Sequence, residues 1–207
     1  DPVLNDLIRT GLAENKDVKI AAARIEQFVG QYITTRAALL PQIGADAGFG
    51  RERASEKGAA PWSATVMNPA DAYQVLFSAS WEIDLWGKLR RAKESARAEI
   101  LSSEEARRGV ILSLVTSIST GYINLRDLDR QLEIAQATVK SREESYAIFK
   151  LRFTGGIVSE LELSQVKSQY EEALATIPVL RKSIAQQENA LSVLLGRNPG
   201  PIPRGRT

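Results

Sequence analysis

YQVLFSASWEIDLW, residues 73–86, is the stretch whose reading decides the fold. Apolar side chains take the odd positions (Tyr73, Val75, Phe77, Ala79, Trp81, Ile83, Leu85), and polar ones take most even positions (Gln74, Ser78, Ser80, Glu82, Asp84). Successive side chains of a strand point to opposite faces, so a period of two predicts one apolar and one polar face. Directly after Gly87 the apolar period lengthens to that of a helix and holds, without a proline, to Phe153. That is about 66 residues, or roughly 100 Å at ~1.5 Å per residue. A strand running straight into so long a helix predicts a channel that is a barrel at one end and a helical tube at the other.

Working outward, Ile43, Ala45, Ala47 and Phe49 alternate with Gly44, Asp46, Gly48 and Gly50, a second strand weakened by its glycines. Residues 54–72 read as a loop of small residues with Pro61 and Pro69, so the two strands make a hairpin whose ends emerge on the same side. Before it, residues 2–14 predict a short amphipathic helix ended by Asn15. A second helix from Asp17 carries a seam of Val18, Ala21, Ile25, Phe28 and Tyr32 and stops at Pro41.

Beyond the strands, the long helix carries Ile118, Gly121, Leu125, Leu128, Leu132, Ala135, Val139, Arg142, Tyr146, Phe149 and Phe153 at alternating steps of three and four. A return helix answers with Leu163, Val166, Tyr170, Ala173, Ile177, Leu180, Ile184, Gln187, Leu191 and Leu194. Their connection is short, which makes them antiparallel neighbours zipped along these seams. Gly155 and Gly156 supply the turn's permissive dihedrals. Ser159 with Glu162 forms a capping box that starts the return helix. Pro178 removes one backbone hydrogen bond and is expected to bend that helix. The tail PGPIPRGRT, residues 199–207, reads as extended and loose. The expected fold is mainly α: long antiparallel coiled-coil helices plus a two-stranded β-hairpin. It divides into N-terminal helices (1–41), strand hairpin (42–87), long helix, tip turn and return helix (88–196), and tail (197–207).

Composition narrows the function. Among 207 residues there is no histidine and no cysteine, which removes the commonest general bases, nucleophiles and transition-metal ligands. GADAGFG is not followed by a helix in a βαβ unit and has no phosphate-binding lysine, so it reads as a strand with a narrow inner face. The pairs Glu104-Glu105, Glu143-Glu144 and Glu171-Glu172 lie in helical stretches and read as solvated faces. No enzyme, cofactor or metal site is expected. A net charge of +2 gives no case for a nucleic-acid partner. No window approaches the ~18 apolar residues of a membrane helix, so any membrane crossing must be made by strands. The chain starts at Asp1 without a charged-then-apolar leader, which reads as a processed or trimmed start.

Three features remain. Tyr73, Trp81 and Trp86 fit a membrane-interface belt better than ordinary core aromatics. The turn Thr154-Gly155-Gly156-Ile157-Val158, leading into Ser159, fits a plain connector by its local chemistry. Its place at the far tip of a long hairpin fits contact with a partner equally well. The seams suit any coiled-coil scaffold, and the strand hairpin is what separates this chain from one.

FSASWEIDLWGKLRRAKESARAE, residues 77–99, resembles the strand-to-helix junction of the outer-membrane efflux proteins, the TolC-like ducts, closest to their multidrug and NodT lipoprotein branch. The similarity continues through LIRTGLAENKDVKIAAARIEQF, RAALLPQIGADAGFG, RFTGGIVSELELSQVKSQYEEALATIPVL and ENALSVLLGRNPG, in the family's order. The resemblance implies a homotrimer that closes one β-barrel in outer-membrane lipid, continuous with an α-helical barrel across the periplasm of a Gram-negative cell. It implies two repeats per protomer, of which this chain matches the first, so the chain is expected to be a fragment, with signal, lipid anchor and second repeat outside it. It implies docking of the tip onto a periplasmic adapter through a Val-Gly-Leu turn, here Gly155-Gly156-Ile157, with Glu162 at a constriction position where aspartate is usual. The expected function is a passive exit duct, lined on the strands by Gln74, Ser78, Ser80, Glu82 and Asp84, for drugs or other small molecules energised by an inner-membrane transporter. The alternative is a structural coiled-coil module such as a periplasmic adapter, for which flanking lipoyl-like β segments are missing.

Overall fold

A computed structural model describes residues 1–53, 55 and 69–205. The elements are α1 (Pro2–Glu14), α2 (Lys16–Ala37), β1 (Gln42–Glu52), β2 (Ala70–Ser80), α3 (Lys88–Thr154) and α4 (Glu160–Leu194). Most of the loop expected over 54–72, Pro61 included, lies outside the described residues. The chain forms two compact units, one of Asp1–Arg24 with Ser103–Thr207, the other of Ile25–Ser102.

In the first unit α3 and α4 run antiparallel. Gln187 Nε2 donates to the Gly121 carbonyl at 3.0 Å, Arg142 Nη1 donates to Gln169 Oε1 at 2.8 Å, and the Tyr146 and Tyr170 rings stack with centroids 6.0 Å apart. The seam residues named above are buried or half-buried on both helices, apart from Arg142 and Phe153, and Leu114, Tyr122 and Ser192, off the seams, are buried as well. Leu7, Val18, Leu114, Ile118, Tyr122, Leu125, Leu191, Leu195 and Ile202 form the core, with Ile118, Leu125 and Leu191 fully enclosed. Each such aliphatic side chain contributes about 1.5–3 kcal/mol by leaving water. α4 runs on through Pro178.

Asn15 joins three elements at this core. Its backbone N–H donates to the Gly11 carbonyl, closing α1. Its Oδ1 accepts from the N–H of Asp17 and of Val18, opening α2, and its Nδ2 donates to the Leu194 carbonyl at 2.8 Å.

As far as Gly205, the tail is not loose. Ile202 is 2% exposed, and its N–H donates to Glu188 Oε1. Arg204 bridges Asp129 of α3, at 3.0 Å, and Glu188 of α4. The Gly205 N–H donates to the Tyr122 hydroxyl, which itself donates to the carboxylate of Asp1, each at 2.9 Å. Prolines and glycines stiffen and shape a segment, but one isoleucine and one arginine are enough to seat it.

In the second unit β1 and β2 form a two-stranded antiparallel sheet with register from Gln42↔Ser80 to Glu52↔Ala70. β2 stops at Ser80, short of the Trp86 end that the alternation predicts. The residue before Gln42 is Pro41, which has no N–H to extend the ladder. Trp81, Glu82, Asp84 and Trp86 therefore belong to the connector into α3, not to the strand.

Candidate functional site

The strand register brings the apolar positions of both strands together. Ile43↔Ala79, Ala45↔Phe77, Ala47↔Val75 and Phe49↔Tyr73 face one way, and the last pair brings its rings within 5.1 Å. Gly44↔Ser78, Gly48↔Gln74 and Gln42↔Ser80 face the other, where Leu76 opposite Asp46 is the exception to polarity. Phe77 is 76% exposed, so the apolar face has no cover among the described residues.

The connector has its own work. The Trp81 indole N–H donates to the Leu39 carbonyl at 3.2 Å. Trp86 is 92% exposed. Glu82 pairs with Lys88 at 3.5 Å. The Asp84 carboxylate accepts from the Arg90 backbone N–H at 2.9 Å and from its guanidinium at 3.3 Å, which holds the start of α3. Glu82 and Asp84, expected on the lumen face of the strand, are thus occupied by the first turn of the helix.

At the other candidate site, α3 ends in a Schellman motif. The Gly156 N–H donates to the Phe153 carbonyl and the Ile157 N–H to that of Arg152, both at 2.9 Å, with Gly156 at φ 70°. Gly155 has no such φ, so of the two expected glycines only Gly156 supplies the dihedral. Thr154 Oγ1 donates back to the Lys150 carbonyl. The capping box is present: the Ser159 N–H and hydroxyl both donate to Glu162 Oε2 at 2.8 Å, and the Glu162 N–H donates to Ser159 Oγ at 3.3 Å. Those bonds from Ser159 hold the Glu162 carboxyl below its ordinary value of 4.5. A constriction role for Glu162 would have to be shared with this cap.

Val158 is half-buried, whereas Ile157 is 75% exposed. Leu151 and Leu161, exposed on either side of the turn, were not singled out by the seam reading. Their signal was available, since both are leucines that fall off the seams. Among the described residues no group of acidic side chains could hold a metal ion, and no helix is long and apolar enough to cross a membrane.

The family model described as outer membrane efflux protein matches residues 7–197. The chain belongs to that family. It is 31% identical over 196 residues to the toluene efflux pump outer membrane protein TtgC of Pseudomonas putida, covering 95% of this chain and 40% of TtgC. It is 33% identical to the probable outer membrane lipoprotein SilC of Salmonella typhimurium, covering 95% of this chain and 41% of SilC. Among solved structures it superposes on CusC, whose structures concern transmembrane channel formation, with a TM-score of 0.81 and 28% identity over 100% of this chain and 46% of that one. The chain spans about two fifths of the length of these curated relatives. Family membership puts it at the outer membrane, and its mainly helical chain with a two-stranded antiparallel sheet has the fold of the matching part of CusC.

Proposed function

We propose that this chain forms part of the wall of an outer-membrane exit duct in a tripartite efflux pump, a passive conduit for drugs or other small molecules. The observation that carries the reading is the strand register. It gathers Ile43, Ala45, Ala47, Phe49, Tyr73, Val75, Phe77 and Ala79 on one face and leaves Gln42, Asp46, Gln74, Ser78 and Ser80 on the other. A barrel wall between lipid and water needs that alternation, and the 11-residue strands have the length that crosses a bilayer at a tilt. In this reading Gln74, Ser78 and Ser80 face the lumen, while Tyr73, Trp81 and Trp86 meet the membrane interfaces.

Among the described residues each strand has one partner and one open edge. Such a pair cannot stand alone in water, and strands from a second repeat and from the other copies of a homotrimer would close the barrel. The periplasmic adapter docks on the tip, residues Thr154 to Ser159, and an inner-membrane transporter supplies the energy. TtgC's link to toluene supports a small, uncharged organic cargo as one class. Single cysteines along 74–79 of the intact protein, probed with a membrane-impermeant maleimide, should label at 74 and 78 but not at 75, 77 and 79. Uniform labelling would overturn the reading.

A further inference from the structure

We infer that the junction between the strand pair and α3 carries a binding surface for anionic phospholipid headgroups, an inference that rests on the strand pair lying in the membrane. From Lys88 to Arg97 the chain places five cations, Lys88, Arg90, Arg91, Lys93 and Arg97, against one acid, Glu94. Three of them have carboxylate partners: Lys88 with Glu82, Arg90 with Asp84 and Arg91 with Glu94. Lys93 and Arg97 have none among the described residues. With Arg90 they fall at helical spacing on one face of α3. These three cations, Glu94 and Leu39 line a hollow of about 320 Å³. Lys93 is half-buried, as a lysine is when part of its stem packs on its neighbours.

The surroundings decide the occupant. Leu40, Trp81, Leu85 and Trp86 of the adjoining connectors are all exposed. A free anion would use the cations and leave these side chains in water. A bilayer surface uses both, setting phosphates against Lys93 and Arg97 and acyl chains against the leucines and indoles. The charge sign selects anionic over neutral headgroups, and each cation near such a surface is worth about fivefold in binding.

The test uses the intact protein in nanodiscs of phosphatidylcholine with 30% phosphatidylglycerol (about a third anionic, enough to set a surface potential), scoring the lipid retained after washing. Wild type should retain phosphatidylglycerol in preference to phosphatidylcholine. Lys93→Gln with Arg97→Gln should cut that preference at least fivefold, Lys93→Arg with Arg97→Lys should keep it, and Arg107→Gln with Lys140→Gln, elsewhere on α3, should leave it unchanged. Equal retention of the two lipids by wild type, an undiminished preference in the first variant, or an equal loss in the last would overturn the proposal. Inorganic phosphate that raises the melting temperature of lipid-free wild type, but not of the first variant, would mark a free-anion site and overturn the lipid assignment. Protein that stays out of the nanodiscs sinks the membrane reading as well, whereas insertion with alternate labelling and no lipid preference sinks this inference alone.

Discussion

Gly155 and Gly156 are neighbours with different duties. A methyl group on Gly156 would touch nothing within 4 Å, so its constraint is torsional, and at φ 70° a β-carbon costs roughly 1–2 kcal/mol. On Gly155 the same methyl would make only ordinary contacts, at 3.6 and 3.7 Å. Gly156→Ala should therefore lower stability by about 1 kcal/mol in urea melts, and Gly155→Ala should leave it unchanged or slightly raised. Equal losses would contradict the Schellman assignment. The sequence displayed both glycines without separating them, because the duty falls on whichever one follows the last turn of α3. Asn15 was legible only as a helix stop. Its bond to the Leu194 carbonyl joins residues far apart in the chain and leaves no trace in a local pattern. Asp84 was misassigned for a related reason, since one carboxylate suits a polar strand face and a helix start equally well.

Among the elements, the α3–α4 pair was the most legible, because steps of three and four are a property of the helix itself and need no knowledge of the partner. What those steps did not show is how burial varies along the seam. Leu191 is completely enclosed, while Leu128 and Leu180, farther toward the turn, are half-buried. Leu191→Ala should cost about 3 kcal/mol and Leu180→Ala about 1 kcal/mol in denaturant melts; equal costs would mean the seam is packed evenly. The strand end was not legible, because it is set by the absent N–H of Pro41 on the partner strand. At the tip, Ile157 is exposed, and its side chain takes no part in the hydrogen bonds that hold the turn. Ile157→Asp should leave melting unchanged within about 0.5 kcal/mol, as surface changes do, and abolish crosslinking of the intact protein to its adapter. Undiminished crosslinking would reduce the turn to a connector.

For the whole molecule, the least legible feature is the seating of the tail. Composition reports local stiffness, and nothing in PGPIPRGRT announces that Arg204 will reach Asp129 and Glu188 across two helices. Arg204→Ala would leave the Asp129 carboxylate partly buried and unpaired and Glu188 with only the Ile202 N–H, for an expected loss of about 1–3 kcal/mol. A melt unchanged by it would mean that Ile202 and the Gly205–Tyr122 hydrogen bond hold the segment without the ion pairs. Tyr122 joins the two extremities of this unit, accepting from Gly205 and donating to Asp1, and a β-carbon on Gly205 would lie 2.5 Å from the Asp1 carboxylate. Tension applied across residues 1 and 205 would therefore be borne first by these contacts and not by the length of the hairpin. It would peel a phenol, a guanidinium and one isoleucine in succession, each a weak link loaded by itself. Until the last of them parts, the coiled coil would stay slack and its far turn would carry none of that pull.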